Sequence, residues 1–274
     1  MRIVLLLMLS STLTCLNASA QGLEGVIVEK FYVSESRDTL LSLPGALPEG
    51  SVTYRVFIDM KPGYFLQSVF GSPGHEMKLA TTTFFYNHPN YGNYIANMVM
   101  DYCLKYNTVM LDSWISVGAG SQDSYGVLKI HDDTTATIVN TFTPPMLQNH
   151  NKLVGIPICV KDGMQFNHGK PPRVSALGID KLFDALDKLI IVDSSGYIFS
   201  TENGAWGCLG GSQGLDKETN IVLIGQFTTS GNFSFEFNLQ LGTPNGGAEQ
   251  HVARNAVNKE FLDARLIIDS RILP

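Results

Sequence analysis

The feature that most constrains the fold is the stretch from residue 233 to residue 241, in which apolar and polar side chains alternate without interruption. Ser, Glu, Asn and Gln occupy the polar positions, and the apolar positions are Phe233, Phe235, Phe237, Leu239 and Leu241. Successive side chains of a β-strand point to opposite faces. This spacing therefore predicts an amphipathic strand with one face in a core and the other in water.

An earlier stretch, "SVTYRVFIDM" at 51–60, follows the same rule with one exception. One parity is apolar, and it contains Val52, Tyr54, Val56 and Ile58. The other parity is mostly polar, with Thr53, Arg55 and Asp59, and Phe57 is the exception. We predict a half-buried strand whose polar side faces solvent.

Similar short runs, rich in β-branched and aromatic residues, recur along the chain between turn residues, at 25–34, 77–86, 108–118, 196–201 and 219–231. With 44% hydrophobic residues, the chain has enough apolar surface for a packed core. The fold predicted is an all-β antiparallel sandwich of jelly-roll or Greek-key style. It is expected as a single domain over 21–274, with two halves at about 23–140 and 170–267 as the alternative division. The helical spacing of Leu182, Phe183, Leu186 and Leu189 adds one short helix near 178–189.

The amino terminus has the pattern of an export signal. Arg2 precedes an apolar run that starts at Ile3, and Ala18 and Ala20 stand in A-x-A spacing before Gln21. This pattern predicts a signal peptide over residues 1–20 and a secreted, periplasmic or cell-surface protein. A membrane anchor is the alternative, but a spanning helix needs about 20 apolar residues and polar residues interrupt this run. We expect no membrane span after cleavage.

Charge and cysteine content exclude further classes. The formal net charge is -6, so the chain lacks the basic surface that binding of nucleic acid or an anionic membrane requires. The mature chain would keep Cys103, Cys159 and Cys208, an odd number without C-x-x-C spacing. This spacing argues against a disulfide framework and a closed zinc site, and three thiols without a bridge are expected.

Several segments resemble an uncharacterised extracellular domain of large exported bacterial proteins, including proteins with type IX secretion sorting signals. They are "VTYRVFIDM", "TTTFFYN", "LDSWISVGA", "NGAWGCLGG", "VLIGQFTT" and "LGTPNGGAE", and they cover most of residues 23 to 250. The resemblance implies an extracellular location and a β-rich module. It implies no catalytic residue.

Candidate catalytic residues do not form a recognisable motif. His75 and Glu76 follow a Pro-Gly turn, where we predict a solvated connection between strands, and no second His completes a metalloprotease motif. Ser113 and Ser121 lie outside any G-x-S-x-G elbow. The sequence therefore predicts a protein that is not an enzyme. A secreted hydrolase is the less favoured alternative, with the acidic residues Asp112, Asp132 and Asp133 as its carboxylates.

The sequence contains candidate residues for two kinds of ligand site. Asp132 and Asp133 in "HDDTT", and Asp193 in "DSSG", offer oxygen ligands for a structural calcium ion, although both segments also suit ordinary turns. Trp206 in a Gly-rich segment, with Tyr91 and Tyr94 in an Asn-rich loop, offers aromatic rings for stacking on a sugar. Trp114 interrupts an apolar strand and is expected in the core.

These observations predict a secreted, non-enzymatic module with a structural or adhesive role. Its expected partner is an extracellular glycan or a surface protein. The alternative is a carbohydrate-binding, lectin-like module that uses the three aromatic residues named above.

Overall fold

The computed structural model describes residues 21–40, 47–133, 147–166, 168–187 and 196–273. The predicted signal peptide at 1–20 lies outside the described residues. The strands are β1 (Leu23–Val33), β2 (Val52–Met60), β3 (Phe65–Gly71), β4 (Met77–Thr81), β5 (Trp114–Ile115), β6 (Tyr125–Gly126), β7 (Met164–Gln165), β8 (Ser175–Leu177), β9 (Tyr197–Thr201), β10 (Gly204–Ser212), β11 (Ile221–Thr229), β12 (Phe233–Glu236), β13 (Asn238–Gly242), β14 (Ala248–Val252), β15 (Phe261–Leu262) and β16 (Ile267–Asp269).

Within the described ranges there are two α-helices, α1 (Ser36–Leu40) and α2 (Asp180–Leu186). Helix α2 confirms the short helix predicted near 178–189, and its Leu182 and Leu186 are buried. Short 3-10 helices occupy Ala96–Met98, Asp101–Lys105, Asn107–Leu111, Lys129–His131, Lys152–Val154, Ala264–Leu266 and Ser270–Ile272. In this part of the chain, no helix has both the length and the apolar character needed to cross a membrane.

Most of the strands form two layers, and β6 and β7 pair separately as a two-stranded sheet. The first layer is a four-stranded antiparallel sheet in the order β1-β2-β11-β5. The second layer contains a six-stranded sheet, β15-β14-β13-β3-β10-β8, and a four-stranded sheet, β16-β12-β4-β9. Three adjacent strands of the four-stranded sheet are each next in the chain to a strand of the six-stranded sheet: β12 to β13, β4 to β3, and β9 to β10. Because these strands have the same order in both sheets, the two sheets form one bent layer. All sheets of both layers contain strands from both the 23–140 and the 170–267 ranges.

The first core lies between these layers. The alternation at 233–241 predicted it correctly, because all five apolar residues of that stretch are buried there. Phe233 stacks on Tyr54 at 5.0 Å and on Phe227 at 5.3 Å between ring centroids, and these two partners come from the opposite sheet. An all-β sandwich is therefore the observed fold, and its sheets are antiparallel except for the parallel pair β14 and β15.

The prediction for the polar side of β2 was wrong. Thr53, Arg55 and Phe57 are buried instead of facing solvent. The connections at 84–133 and 147–166 fold over the second face of the first sheet and enclose a second core there, which contains Phe31, Phe57 and Leu223 from the sheet. Trp114 lies in this second core, as expected for a core residue.

Candidate functional site

The predicted exposure of Trp206 was wrong. The segment "NGAWGCLGG" forms strand β10, and Trp206 points into the first core with 1% of its surface exposed, edge-on to Phe237 at 5.4 Å. The glycines reflect close strand contact, since a Cβ on Gly207 would lie 2.1 Å from the carbonyl oxygen of Gln67. Trp206 therefore cannot stack on a ligand at the surface of this fold.

Tyr91 and Tyr94 have different environments. Tyr91 is 42% exposed, and its ring stacks on Tyr106 at 4.4 Å, so a neighbour already covers a face of the ring. Tyr94 is half-buried and packs against Phe183 of α2 at 4.6 Å. The three aromatic residues therefore do not form one exposed binding face.

The acidic residues proposed for calcium do not converge in the described ranges. Asp132 is buried, and its Oδ2 accepts a hydrogen bond from the Gly163 amide at 2.8 Å. Asp133 is exposed, and Asp193 lies outside the described residues. Across the part of the chain that is described, no three His, Cys, Asp or Glu residues are arranged to hold a metal ion.

The serine and cysteine candidates have structural environments. Ser113 is fully buried, and its Oγ accepts a hydrogen bond from the Thr228 amide at 2.9 Å, which joins β11 to the start of β5. The three described cysteines are free thiols, with Cys103 buried and Cys159 and Cys208 half-buried.

His75, predicted to be solvated, is buried. Its Nδ1 lies 3.1 Å from the carbonyl oxygen of Arg254, and its Nε2 lies 3.1 Å from Oε2 of Glu260. The reason is that the segment after β14 folds back over the turn that carries His75. The imidazole therefore anchors residues 254–260 to the second layer.

That anchored segment forms one wall of an open groove on the outer face of the six-stranded sheet. The groove has a volume of about 630 Å³. The sheet contributes Gln240, Ala248 and Gln250, and the wall contributes Val257, Asn258, Lys259 and Glu260. Gln240 and Gln250 are direct partners across β13 and β14, so both side chains lie on the same face.

Small residues adjoin the groove, since its lining residue Ala248 is paired with Gly242. Gly242 is paired with Ala248 on one side and with Phe65 on the other. A Cβ on Gly242 would lie 2.4 Å from the Phe65 ring and 2.9 Å from Nε2 of Gln67. Glycine at this position therefore allows an aromatic ring and an amide to lie across the strand.

Side-chain amides form a row beside these small residues. Nε2 of Gln240 donates a hydrogen bond to Oε1 of Gln67 at 2.7 Å, and Gln250 is the next residue across the sheet. An amide carries both donors and acceptors. The row can therefore bind several hydroxyl groups of one ligand.

The wall is fixed by polar contacts and has balanced charge. Oε2 of Glu260 accepts a hydrogen bond from the Val257 amide at 2.7 Å, in addition to the contact with His75. Arg254 donates to Glu236 of β12 at 2.8 Å. Lys259 offsets the charge of Glu260, so the groove has no net preference for an ionic ligand.

The sequence analysis did not identify this groove, although its signal was present. Gln240 appeared only as a polar position of an amphipathic strand, which is what any solvent-facing sheet shows. The pairing of Gln240 with Gln250, and the return of 254–260 over His75, depend on the topology. Comparison with known proteins adds no further constraint, since no family model, curated protein or solved structure matches the chain.

Proposed function

We propose that the protein is an exported, non-enzymatic adhesive module that binds a neutral glycan in the groove on its outer sheet face. The observation that carries this proposal is the pair of amides, Gln240 and Gln250, that line the groove, with Gln67 hydrogen-bonded to Gln240 beside them. Export rests on the leader at 1–20 and on the resemblance to exported domains described above.

The chemistry of the groove suits a sugar better than a charged ligand. Hydroxyl groups of a sugar both donate and accept hydrogen bonds, as side-chain amides do. The C–H face of a pyranose ring is apolar and suits the apolar lining residues Ala248 and Val257. A volume of about 630 Å³ is in the range of small-molecule sites, so the groove can take a short segment of a polysaccharide.

Binding without hydrolysis is proposed because the groove is lined by a single carboxylate, and that carboxylate is already engaged in contacts with the protein. Glu260 already contacts His75 and the Val257 amide. Glycoside hydrolysis requires a pair of carboxyl groups on either side of the scissile bond. The lining residues supply no such pair.

The test is a binding screen of the mature protein against neutral polysaccharides, followed by calorimetry on the best ligand. The double variant Gln240→Ala/Gln250→Ala should bind about thirtyfold more weakly, because two hydrogen bonds are lost and each is worth about 1 kcal/mol. Ala248→Arg places a large side chain in the groove from an exposed position and should abolish binding altogether. Gln122→Ala, at an exposed glutamine outside the groove, is the matched control. Absence of any glycan ligand, or unchanged affinity in both groove variants, would contradict the proposal.

A surface-protein partner is the second candidate, favoured by a Met–Tyr patch in the segment 91–106. The patch consists of the exposed side chains Tyr91, Met98, Met100, Tyr102 and Tyr106. Tyrosine and methionine are enriched at protein interfaces, and methionine adapts readily to different partners. Adhesion to cells that falls with Met98→Ser/Tyr102→Ser, and not with the groove variants, would favour this candidate.

A further inference from the structure

A buried amine and a buried amide meet at one carbonyl group in the second core. Nζ of Lys129 donates to the carbonyl oxygen of Phe31 at 3.0 Å, and Nδ2 of Asn149 donates to the same oxygen at 3.3 Å. Each nitrogen is one hydrogen-bond length from that oxygen, so the two lie no more than about 6 Å apart. Both side chains are shielded from water, with 2% of Lys129 and 9% of Asn149 exposed.

A carboxyl group completes this cluster. Glu29 of β1 accepts a hydrogen bond from the Lys129 backbone amide at 3.0 Å through Oε1. Oε2 of Glu29 and Oδ1 of Asn149 are both buried without a hydrogen-bond partner in the described ranges. Buried acceptors without a partner are costly, and protonation of Glu29 would turn its carboxyl group into a hydrogen-bond donor.

Burial shifts both titratable groups toward their neutral forms. Burial raises the pKa of Glu29, which Lys129 and Arg55 partly oppose. Burial lowers the pKa of Lys129 to about 8, and the charge of Glu29 opposes this shift while Arg55 adds to it. The face of the Phe31 ring lies 5.5 Å from Nζ and partly opposes this shift, because it attracts a cation. An uncharged amine is the nucleophilic form of lysine.

We propose that Lys129 and Asn149 join in an intramolecular isopeptide bond, with Glu29 as the acid that assists the reaction. The lone pair of Nζ attacks Cγ of Asn149, and Glu29 donates a hydrogen bond to Oδ1 as negative charge develops there. The Nζ–Cγ bond forms and the Cγ–Nδ2 bond breaks. A proton from Nζ passes through the Glu29 carboxyl to Nδ2, which leaves as ammonia. No oxidant, metal or co-reactant is required.

This bond would serve the role that a disulfide has in other exported domains. It closes the chain between residues 129 and 149, which lowers the conformational entropy of the unfolded state. The cysteines of the described chain are free thiols and supply no such restraint. An adhesive module under mechanical load would gain resistance to unfolding, while the glycan groove lies on the outer face of the other layer and does not depend on the bond.

The test is the intact mass of the purified mature protein. Loss of ammonia lowers the mass by about 17 Da, and proteolysis should give one branched peptide that contains both Lys129 and Asn149. Lys129→Met, Asn149→Ala and Glu29→Gln should each restore two separate peptides. Lys152→Met, at an exposed neighbouring lysine, should keep the branched peptide.

The variants also distinguish the isopeptide bond from other modifications that lower the mass by the same amount. Cyclisation of an N-terminal glutamine gives the same loss, but it persists in all these variants and maps to the first peptide. Glu29→Gln preserves the shape of the side chain, and circular dichroism confirms that the variant is folded before its mass is read. A folded wild-type protein of full mass, with Lys129 and Asn149 in separate peptides, would overturn the proposal.

Discussion

The two cores on opposite faces of the sheet β1-β2-β11-β5 differ in the chemistry of what they bury. The first core, between the two layers, is built from aliphatic and aromatic side chains such as Phe233, Phe235 and Phe227. The second core, under the long connections, encloses aromatic residues together with the charged side chains of Arg55 and Lys129. The same sheet therefore supports an apolar core on one face and a mixed core on the other.

The backbone explains this difference. Strands that pack face to face already satisfy their own amides and carbonyls within the sheets, so their side chains can be wholly apolar. Irregular connections bring unpaired carbonyls into the interior. The side chain of Arg55 donates to the carbonyls of Asp162 and Gly163 at 3.3 and 3.0 Å, and Gln226 donates to those of Met110 and Asp112 at 2.9 and 2.7 Å.

Arg55 has a central position among these donors. Its guanidinium lies 3.6 Å from the centroid of the Phe31 ring and also donates to Oε1 of Gln226 at 2.8 Å. Burial lowers its pKa to about 10, against the opposing charge of Glu29. A buried cation is therefore a structural element that joins the connections to the sheet.

The largest expected effect is on the first core. Phe233→Ala should lower the free energy of unfolding by about 4 kcal/mol, because it leaves a cavity among Tyr54, Phe227 and Phe85. Urea titration followed by tryptophan fluorescence measures this change. A loss below about 1 kcal/mol would show that the layers close over the site and that the aromatic contacts matter little.

A matched pair of substitutions to methionine compares the cores directly. Arg55→Met should cost about 3 kcal/mol, since it leaves the Asp162 carbonyl and Oε1 of Gln226 buried without a donor. Leu239→Met in the first core conserves volume and should cost less than about 1.5 kcal/mol. Equal costs in the same urea titration would mean that hydrogen bonds to the connections contribute nothing specific to the second core.

A smaller effect is expected from the pH dependence of stability. His251 is buried against Phe261, with Glu249 at 3.2 Å, and burial lowers its pKa below the ordinary value of 6.5. Below that value the unfolded state binds more protons than the folded state, so the stability contributed by His251 is lost as the solution is acidified from pH 7 to pH 5.

The corresponding measurement is the melting temperature of the wild type and of His251→Gln across this range. The difference between the two proteins should shrink or change sign on acidification, because only the wild type loses the contribution of a neutral imidazole. A difference that is constant with pH would mean that protonation of His251 is not coupled to folding.

Local patterns predicted those elements whose environment follows from strand or helix period alone. Period two at 233–241 predicted the apolar face of β12 and β13, and helical spacing predicted α2. Asn238 shows the limit. It stands at a polar position of the alternation, yet it is buried, because its Nδ2 donates to the carbonyls of Phe70, His75 and Glu76, where the chain crosses the outer face.

The candidate site was beyond the reach of such patterns. Trp206 was assigned to a surface loop because glycines surround it, whereas those glycines allow close strand packing. His75 was expected in solvent because it follows a Pro-Gly turn, whereas a segment almost two hundred residues later covers it. Neither partner is visible in the local sequence.

Side-chain alternation depends only on neighbouring residues, so the sequence alone predicts layered β-sheets with an apolar side to each strand. The covered polar sides, the position of the groove and the buried site of Lys129, Asn149 and Glu29 follow from the tertiary fold. These contacts join residues far apart in the chain, and strand order and the paths of the connections bring them together.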